Sequence, residues 1–109
     1  LPLFSTGTPG GRTIINTTMQ TILNVIDFDM NIARAISAPR IHHQWLPNNT
    51  RMEAGYFSAD TLRLYEQRGH VISETRGIGS VMAVHRDPET GLLTGASDPR
   101  AEDGGAVAY

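Results

Sequence analysis

Gly7-Thr8-Pro9-Gly10-Gly11-Arg12 is the stretch whose residue types could do chemistry, because it runs directly into a helical pattern and offers backbone N–H groups unshielded by side chains. Glycine lets the chain approach a ligand closely, Pro9 stiffens the approach, and the positive end of the following helix favours an anion or a developing oxyanion. Gly and Pro are also ordinary punctuation ahead of helices, so the turn alone fits a plain helix entry as well.

The other candidates are weaker. His42 and His43 are adjacent on a segment of extended character, which sends them to opposite faces, and Glu53 is the one nearby carboxylate, a poor set for a metal. His70 and His85 stand singly. Asp27, Asp29 and Asp98 lie near turns, where carboxylates commonly cap backbone N–H groups. No serine sits in a Gly-x-Ser-x-Gly elbow, and no activated nucleophile is evident. Asn16-Thr17-Thr18 and Asn48-Asn49-Thr50 fit the glycosylation sequon and read as chance matches.

The elements that must position the turn follow from periodicity. Ile15, Met19, Ile22, Leu23 and Ile26 recur at helical spacing between Arg12 and Asp27, which predicts a helix with a wide buried apolar stripe. Asn31 is placed to cap a second helix, Ile32 to Ser37, which Pro39 stops. Arg40 to Trp45 is extended, Pro47-Asn48-Asn49 is a turn, and Thr50 to Glu53 is a short strand. Ser58 opens a third helix that ends before Gly69, a left-handed residue. His70 to Thr75, Ser80 to Arg86 and Gly91 to Ala96 are strand candidates, the last two joined by the hairpin turn Asp87-Pro88-Glu89-Thr90. Helices followed by antiparallel strands make an α+β layered fold.

Composition excludes several function classes. The 109 residues are the size of one small domain or a piece of a larger one. Nine basic residues, all arginine, against eleven acidic ones give a net charge of −2 with the basic residues scattered, so no nucleic-acid footprint forms. With no cysteine there is no disulfide, thiolate metal site or cysteine nucleophile in this sequence. No apolar run approaches the roughly 20 residues that span a bilayer. The apolar Leu1-Pro2-Leu3-Phe4 leads straight into the turn, as though the sequence entered a longer protein midway through a strand.

Taken in order, Gly7-Thr8-Pro9-Gly10-Gly11-Arg12-Thr13-Ile14-Ile15, Asn31-Ile32, Ala38-Pro39-Arg40-Ile41-His42-His43-Gln44-Trp45-Leu46-Pro47 and Gly95-Ala96-Ser97-Asp98-Pro99-Arg100 closely resemble the C-terminal part of the small subunit of gamma-glutamyltranspeptidases. The resemblance spans nearly all of residues 1–109. It implies part of a four-layer αββα sandwich of the N-terminal-nucleophile hydrolase type, in which a precursor cleaves itself and exposes a threonine nucleophile. That threonine and the side chains binding the glutamyl α-carboxylate and α-amino group belong upstream of the glycine turn, so residues 1–109 would be the later section of the small subunit, an incomplete domain.

One catalytic element carries over. The family's consecutive glycines supply backbone N–H groups to the oxyanion hole and match Gly10 and Gly11, with Thr8 where many members have serine. The resemblance implies glutathione or another γ-glutamyl compound as donor, and water, an amino acid or a dipeptide as acceptor. The large subunit and the rest of the small subunit are the implied partners, with no cofactor, metal or nucleic acid. Family habit adds a periplasmic, secreted or extracellular-facing location. Related acylases acting on β-lactam side chains or poly-γ-glutamate, and a noncatalytic anion-binding or structural homologue, are the alternatives. On this reading Gly11→Pro, which removes one N–H, or a bulky residue at Gly10, which pushes the backbone away from the oxyanion, would greatly lower turnover in the complete enzyme with folding largely retained. The isolated chain would expose faces that the rest of the sandwich covers, and would be poorly soluble or oligomeric alone.

Overall fold

A computed structural model describes residues 2–108, so Leu1 of the apolar lead-in lies outside the described residues. The chain forms two compact units, one made of the residues up to Ala38 together with those from Gly79 onward, the other Pro39–Ile78.

The first unit is built on an antiparallel sheet of β1 (Phe4–Gly7), β5 (Met82–Arg86) and β6 (Leu93–Ser97), in the order β1-β5-β6. Gly7 pairs with Met82, so the antiparallel register places the residues leaving β1 beside those entering β5. Helices α1 (Ile14–Ile26) and α2 (Ile32–Ser37) complete the unit. Asn31 caps α2 as its position predicts, its side chain accepting from the Arg34 N–H at 2.9 Å. Ile32 and Ile36 of α2 pack with Val81, Ala83 and Ala96 in the hydrophobic core, and Phe4 and Val25 close against it.

Helix α1 corrects the sequence reading. Its buried positions are Thr17 and Thr21, continuing the line from buried Thr13, whereas Ile15 is 82% exposed, Ile26 61% and Met19 49%. Threonine at i, i+4 presents short branched side chains that let a helix approach its neighbours closely, and Thr21 Oγ1 satisfies itself on the Thr17 carbonyl at 3.0 Å. The apolar periodicity identifies the helix but marks the face left uncovered within this chain.

Strands β5 and β6 are joined at the predicted turn. Asp87 Oδ1 accepts from the N–H groups of Glu89 and Thr90, both at 2.8 Å, and the Gly91 N–H closes on the Asp87 carbonyl at 2.9 Å. The bond from Thr90, then that from Glu89, holds the Asp87 carboxyl below its ordinary range. A depressed folded-state value means that the turn's contribution to stability is present above the unfolded-state value and lost as pH falls through the folded one. A side-chain carboxyl NMR titration should therefore place Asp87 below a free aspartate; a midpoint at or above it would contradict the capping.

The second unit carries β2 (Ile41–His42), β3 (Thr50–Glu53), α3 (Ala59–Gln67) and β4 (Ile72–Thr75), with sheet order β2-β3-β4. Ser58 caps α3 through the Thr61 N–H at 3.1 Å, and Gly69 follows the helix at φ 91°, both as expected. Strand β4 departs from the predicted antiparallel arrangement: it runs parallel to β3, Thr50 aligned with Ile72. Helix α3 returns the chain to the starting end of β3, so β3-α3-β4 is a crossover unit, which requires parallel strands.

Candidate functional site

The glycine turn lies between the end of β1 at Gly7 and a one-turn 3-10 helix, Gly11–Thr13, that leads into α1. Gly10 has φ 142° and ψ 9°, and Gly11 has φ 56°. Both require glycine or strain any other residue. A side chain at Gly10 would drive its Cβ into Thr13 Oγ1, whereas a Cβ at Gly11 meets nothing within 4 Å. Gly11→Pro would do more than remove one N–H, because proline's φ near −65° cannot occupy φ 56° and the turn itself would shift.

Among the described residues, neither the Gly10 nor the Gly11 N–H has a hydrogen-bond partner. The carbonyls flanking them are engaged. Pro9 O accepts from Thr8 Oγ1 at 2.7 Å, and Gly10 O accepts from Thr13 N at 3.1 Å and Thr13 Oγ1 at 3.0 Å. Thr8 Oγ1 also accepts from the Ser80 N–H at 2.9 Å, tying the turn to the entry of β5. Gly79, at φ 72°, is packed so closely there that an added Cβ would lie 2.8 Å from Thr8 Oγ1 and 2.9 Å from Thr17 Cγ2. Thr17 Oγ1, buried below, has no partner among the described residues. The result is a fixed loop with two available donors, able to accept a carboxylate, a phosphate or the oxygen of a tetrahedral intermediate.

Asp98 takes the capping role that its position near a turn predicts. Asp98, 1% exposed, accepts from the Val81 N–H at 2.7 Å and the Arg100 N–H at 2.9 Å, and pairs with the Arg100 guanidinium at 3.0 Å. Arg100 also donates to the carbonyls of Ile36 and Ala38 at the end of α2. The histidines do not converge on one point, although the rings of His43 and His70 meet edge to face with centroids 6.4 Å apart. His42 is buried and bonds Gln44 Oε1 at 2.9 Å, exposed His43 bonds Asn48 Oδ1 at 3.1 Å, and His70 lies 3.3 Å from Thr50 Oγ1. Among the described residues no three or more His, Asp or Glu cluster as metal ligands would.

Sequence reasoning missed a buried polar arrangement in the second unit. Glu53, 1% exposed, accepts from the Arg40 N–H at 2.9 Å and the Ile78 N–H at 2.8 Å. The buried Arg40 Nη1 donates to the Ile78 carbonyl at 2.7 Å. Strand alternation places Thr50 and Met52 inward and predicts Glu53 outward, so no local signal reveals it.

Comparison with known proteins places these features in a family. The family model for gamma-glutamyltranspeptidase matches residues 1–108. A glutathione hydrolase proenzyme of Escherichia coli (strain K12) is 46% identical over 104 residues, covering 95% of this chain but 18% of the relative, so the chain spans less than a fifth of that protein. The crystal structure of an acivicin-inhibited gamma-glutamyltranspeptidase superposes with a TM-score of 0.88 at 41% identity, covering 92% of this chain and 54% of that one. A cephalosporin acylase from Bacillus halodurans superposes with a TM-score of 0.82 at 31% identity, over 93% of this chain and 19% of the acylase. The mixed α and β architecture, the glycine turn and the Asp98-Pro99-Arg100 corner are thus parts of an enzyme fold, and the chain belongs to the gamma-glutamyltranspeptidase family.

Proposed function

We propose that this chain supplies the oxyanion-stabilising section of an enzyme that transfers the γ-glutamyl group of glutathione or a related compound to water, an amino acid or a dipeptide. The observation that carries the reading is the pair of N–H groups at Gly10 and Gly11 that have no partner among the described residues, in a turn whose conformation only glycine adopts readily. In the full-length protein the nucleophile is the N-terminal threonine of the small subunit, upstream of this chain and exposed by self-cleavage of a proenzyme. Its hydroxyl attacks the γ-carbonyl while its own amine takes the proton. Negative charge gathers on the carbonyl oxygen, which accepts from Gly10 and Gly11. Collapse of this tetrahedral intermediate expels the amine of the donor, which takes the proton held on the threonine amine, and leaves a γ-glutamyl ester. The acceptor then attacks the ester, passes through a second oxyanion at the same turn, and frees the threonine.

The large subunit and the remainder of the small subunit complete the site, and a periplasmic, secreted or extracellular-facing location suits a protein acting on peptides outside the cytoplasm. The likeness to a cephalosporin acylase favours one second reading, in which the same turn serves hydrolysis of a different acyl amide.

Intact mass and N-terminal sequencing of the purified full-length protein, before and after brief exposure to glutathione, test the proposal. Two chains are expected, the smaller beginning with threonine and gaining one γ-glutamyl group on that residue. A protein that stays uncleaved, or cleaves but never acquires the adduct, would overturn it. An adduct formed only with a β-lactam side-chain amide would move the assignment to the acylase reading.

A further inference from the structure

The hydrogen bonds of the glycine turn fall on the carbonyls whose peptide planes carry the two free N–H groups. The peptide joining Pro9 to Gly10 contains the Pro9 carbonyl and the Gly10 N–H, and the next one contains the Gly10 carbonyl and the Gly11 N–H. Neither bond is cis, so in each plane the C=O and N–H point in opposite directions and fixing one fixes the other. Pro9 O is held by Thr8 Oγ1 at 2.7 Å, and Gly10 O by Thr13 N at 3.1 Å and Thr13 Oγ1 at 3.0 Å.

We infer that Thr8 and Thr13 are positioning residues that clamp the two oxyanion-hole peptides from behind. The inference rests on the assignment of the Gly10 and Gly11 N–H groups as the oxyanion donors.

Glycine makes the clamp necessary. The freedom that allows Gly10 its φ of 142° also lets the flanking peptides rotate at little cost, and a rotated peptide would present a carbonyl where an N–H is required. Thr8 uses both capacities of its hydroxyl: it donates to Pro9 O and accepts from Ser80 N at 2.9 Å. Ser80 is in turn anchored, since the next residue, Val81, is bonded to Asp98 in both directions, N–H to Oδ2 at 2.7 Å and carbonyl to the Asp98 N–H at 3.0 Å. The clamp on Pro9 therefore stands on the buried end of the sheet. A donor on the carbonyl also polarises its peptide, strengthening the N–H on the far side as a donor to negative charge.

The clamps differ in redundancy. Thr8 holds Pro9 O through its hydroxyl alone, whereas Gly10 O keeps the Thr13 N–H if the Thr13 hydroxyl is removed. Thr8→Val in the full-length protein should lower kcat about 10-fold, part of the roughly 10² to 10³ that a fully lost donor costs, with KM nearly unchanged. Thr8→Ser should restore it, and Thr13→Val should lose only about 3-fold by the same reasoning. Turnover is read per acyl-enzyme burst, so incomplete self-cleavage does not enter. Affinity for a γ-boronic acid analogue of glutamate, whose tetrahedral anion occupies the oxyanion position, should fall in parallel with kcat.

Gly10→Ala as a companion separates the two ideas. A large loss at Gly10 with unchanged kcat and boronate affinity in Thr8→Val would overturn the clamp and spare the oxyanion assignment. Unchanged kcat in both would overturn both. If Thr8→Val fails to mature, Thr13→Val carries the test: parallel loss of kcat and boronate affinity supports the clamp, while loss of melting temperature with normal kcat reduces Thr13 to scaffold and overturns it.

Discussion

Gly10→Ala in the full-length protein is expected to lower turnover of a γ-glutamyl anilide by about 10² to 10³-fold, the loss associated with one oxyanion donor, or roughly 3 to 4 kcal/mol of transition-state stabilisation. Two features of the turn act together. The backbone at φ 142° is closed to side chains, and the new Cβ would strike Thr13 Oγ1, the group that holds the Gly10 carbonyl. Relief requires moving the turn, which carries both N–H groups with it. Gly11→Ala is the informative contrast, because its Cβ enters open space and only the left-handed conformation, about 1 to 2 kcal/mol for an L-residue, opposes it. A smaller loss is expected there. Turnover of folded, processed Gly10→Ala within a few-fold of the parent would sink the assignment.

The second large effect concerns stability. Glu53→Ala should destabilise the Pro39–Ile78 unit by about 3 to 5 kcal/mol, the range for breaking a buried charged arrangement by removing one member. The Glu53 carboxylate joins the two ends of this unit, accepting from Arg40 N with one oxygen and Ile78 N with the other. Alanine would leave both N–H groups buried and unsatisfied, each costing about 1 to 3 kcal/mol before relaxation. Glu53→Gln keeps a single acceptor oxygen and should fall between. Hydrogen exchange at the Arg40 and Ile78 amides reads the effect locally, and urea unfolding reads it globally. Parent-like protection of both amides in Glu53→Ala would show that the carboxylate does not hold the unit closed.

Local chemistry made much of this fold readable from sequence. Asn31 and Ser58 cap the helices that their positions predict, Gly69 takes the left-handed conformation past α3, and Asp87 closes its hairpin, because each acts within a few residues of itself. Long-range choices were not readable. Periodicity identifies α1 as a helix but cannot say which face meets the sheet, and the small Thr17 and Thr21 fill the inside while Ile15 and Ile26 stay out. The parallel register of β4 depends on a return through α3. Of the candidate site, Gly10 and Gly11 could be named from the turn and from the family resemblance. Ser80 could not, since its bond to Thr8 crosses 72 positions of sequence.

Gly79 extends that dependence to the history of the sequence. Its φ of 72° and the closeness of Thr8 and Thr17 leave it no room for a side chain, although it is remote from the turn along the chain. A mutation at residue 79 is thus felt at residue 8, and in a population drifting under selection for turnover the two positions are not free to wander separately. An enlargement at 79 would meet both Thr8 and Thr17, so it survives only beside a retreat at each, and a retreat at 8 loses the hydroxyl that holds Pro9. The shortest escape from one change runs through a second that damages the turn, so this corner of the molecule should change more slowly than its exposed surroundings.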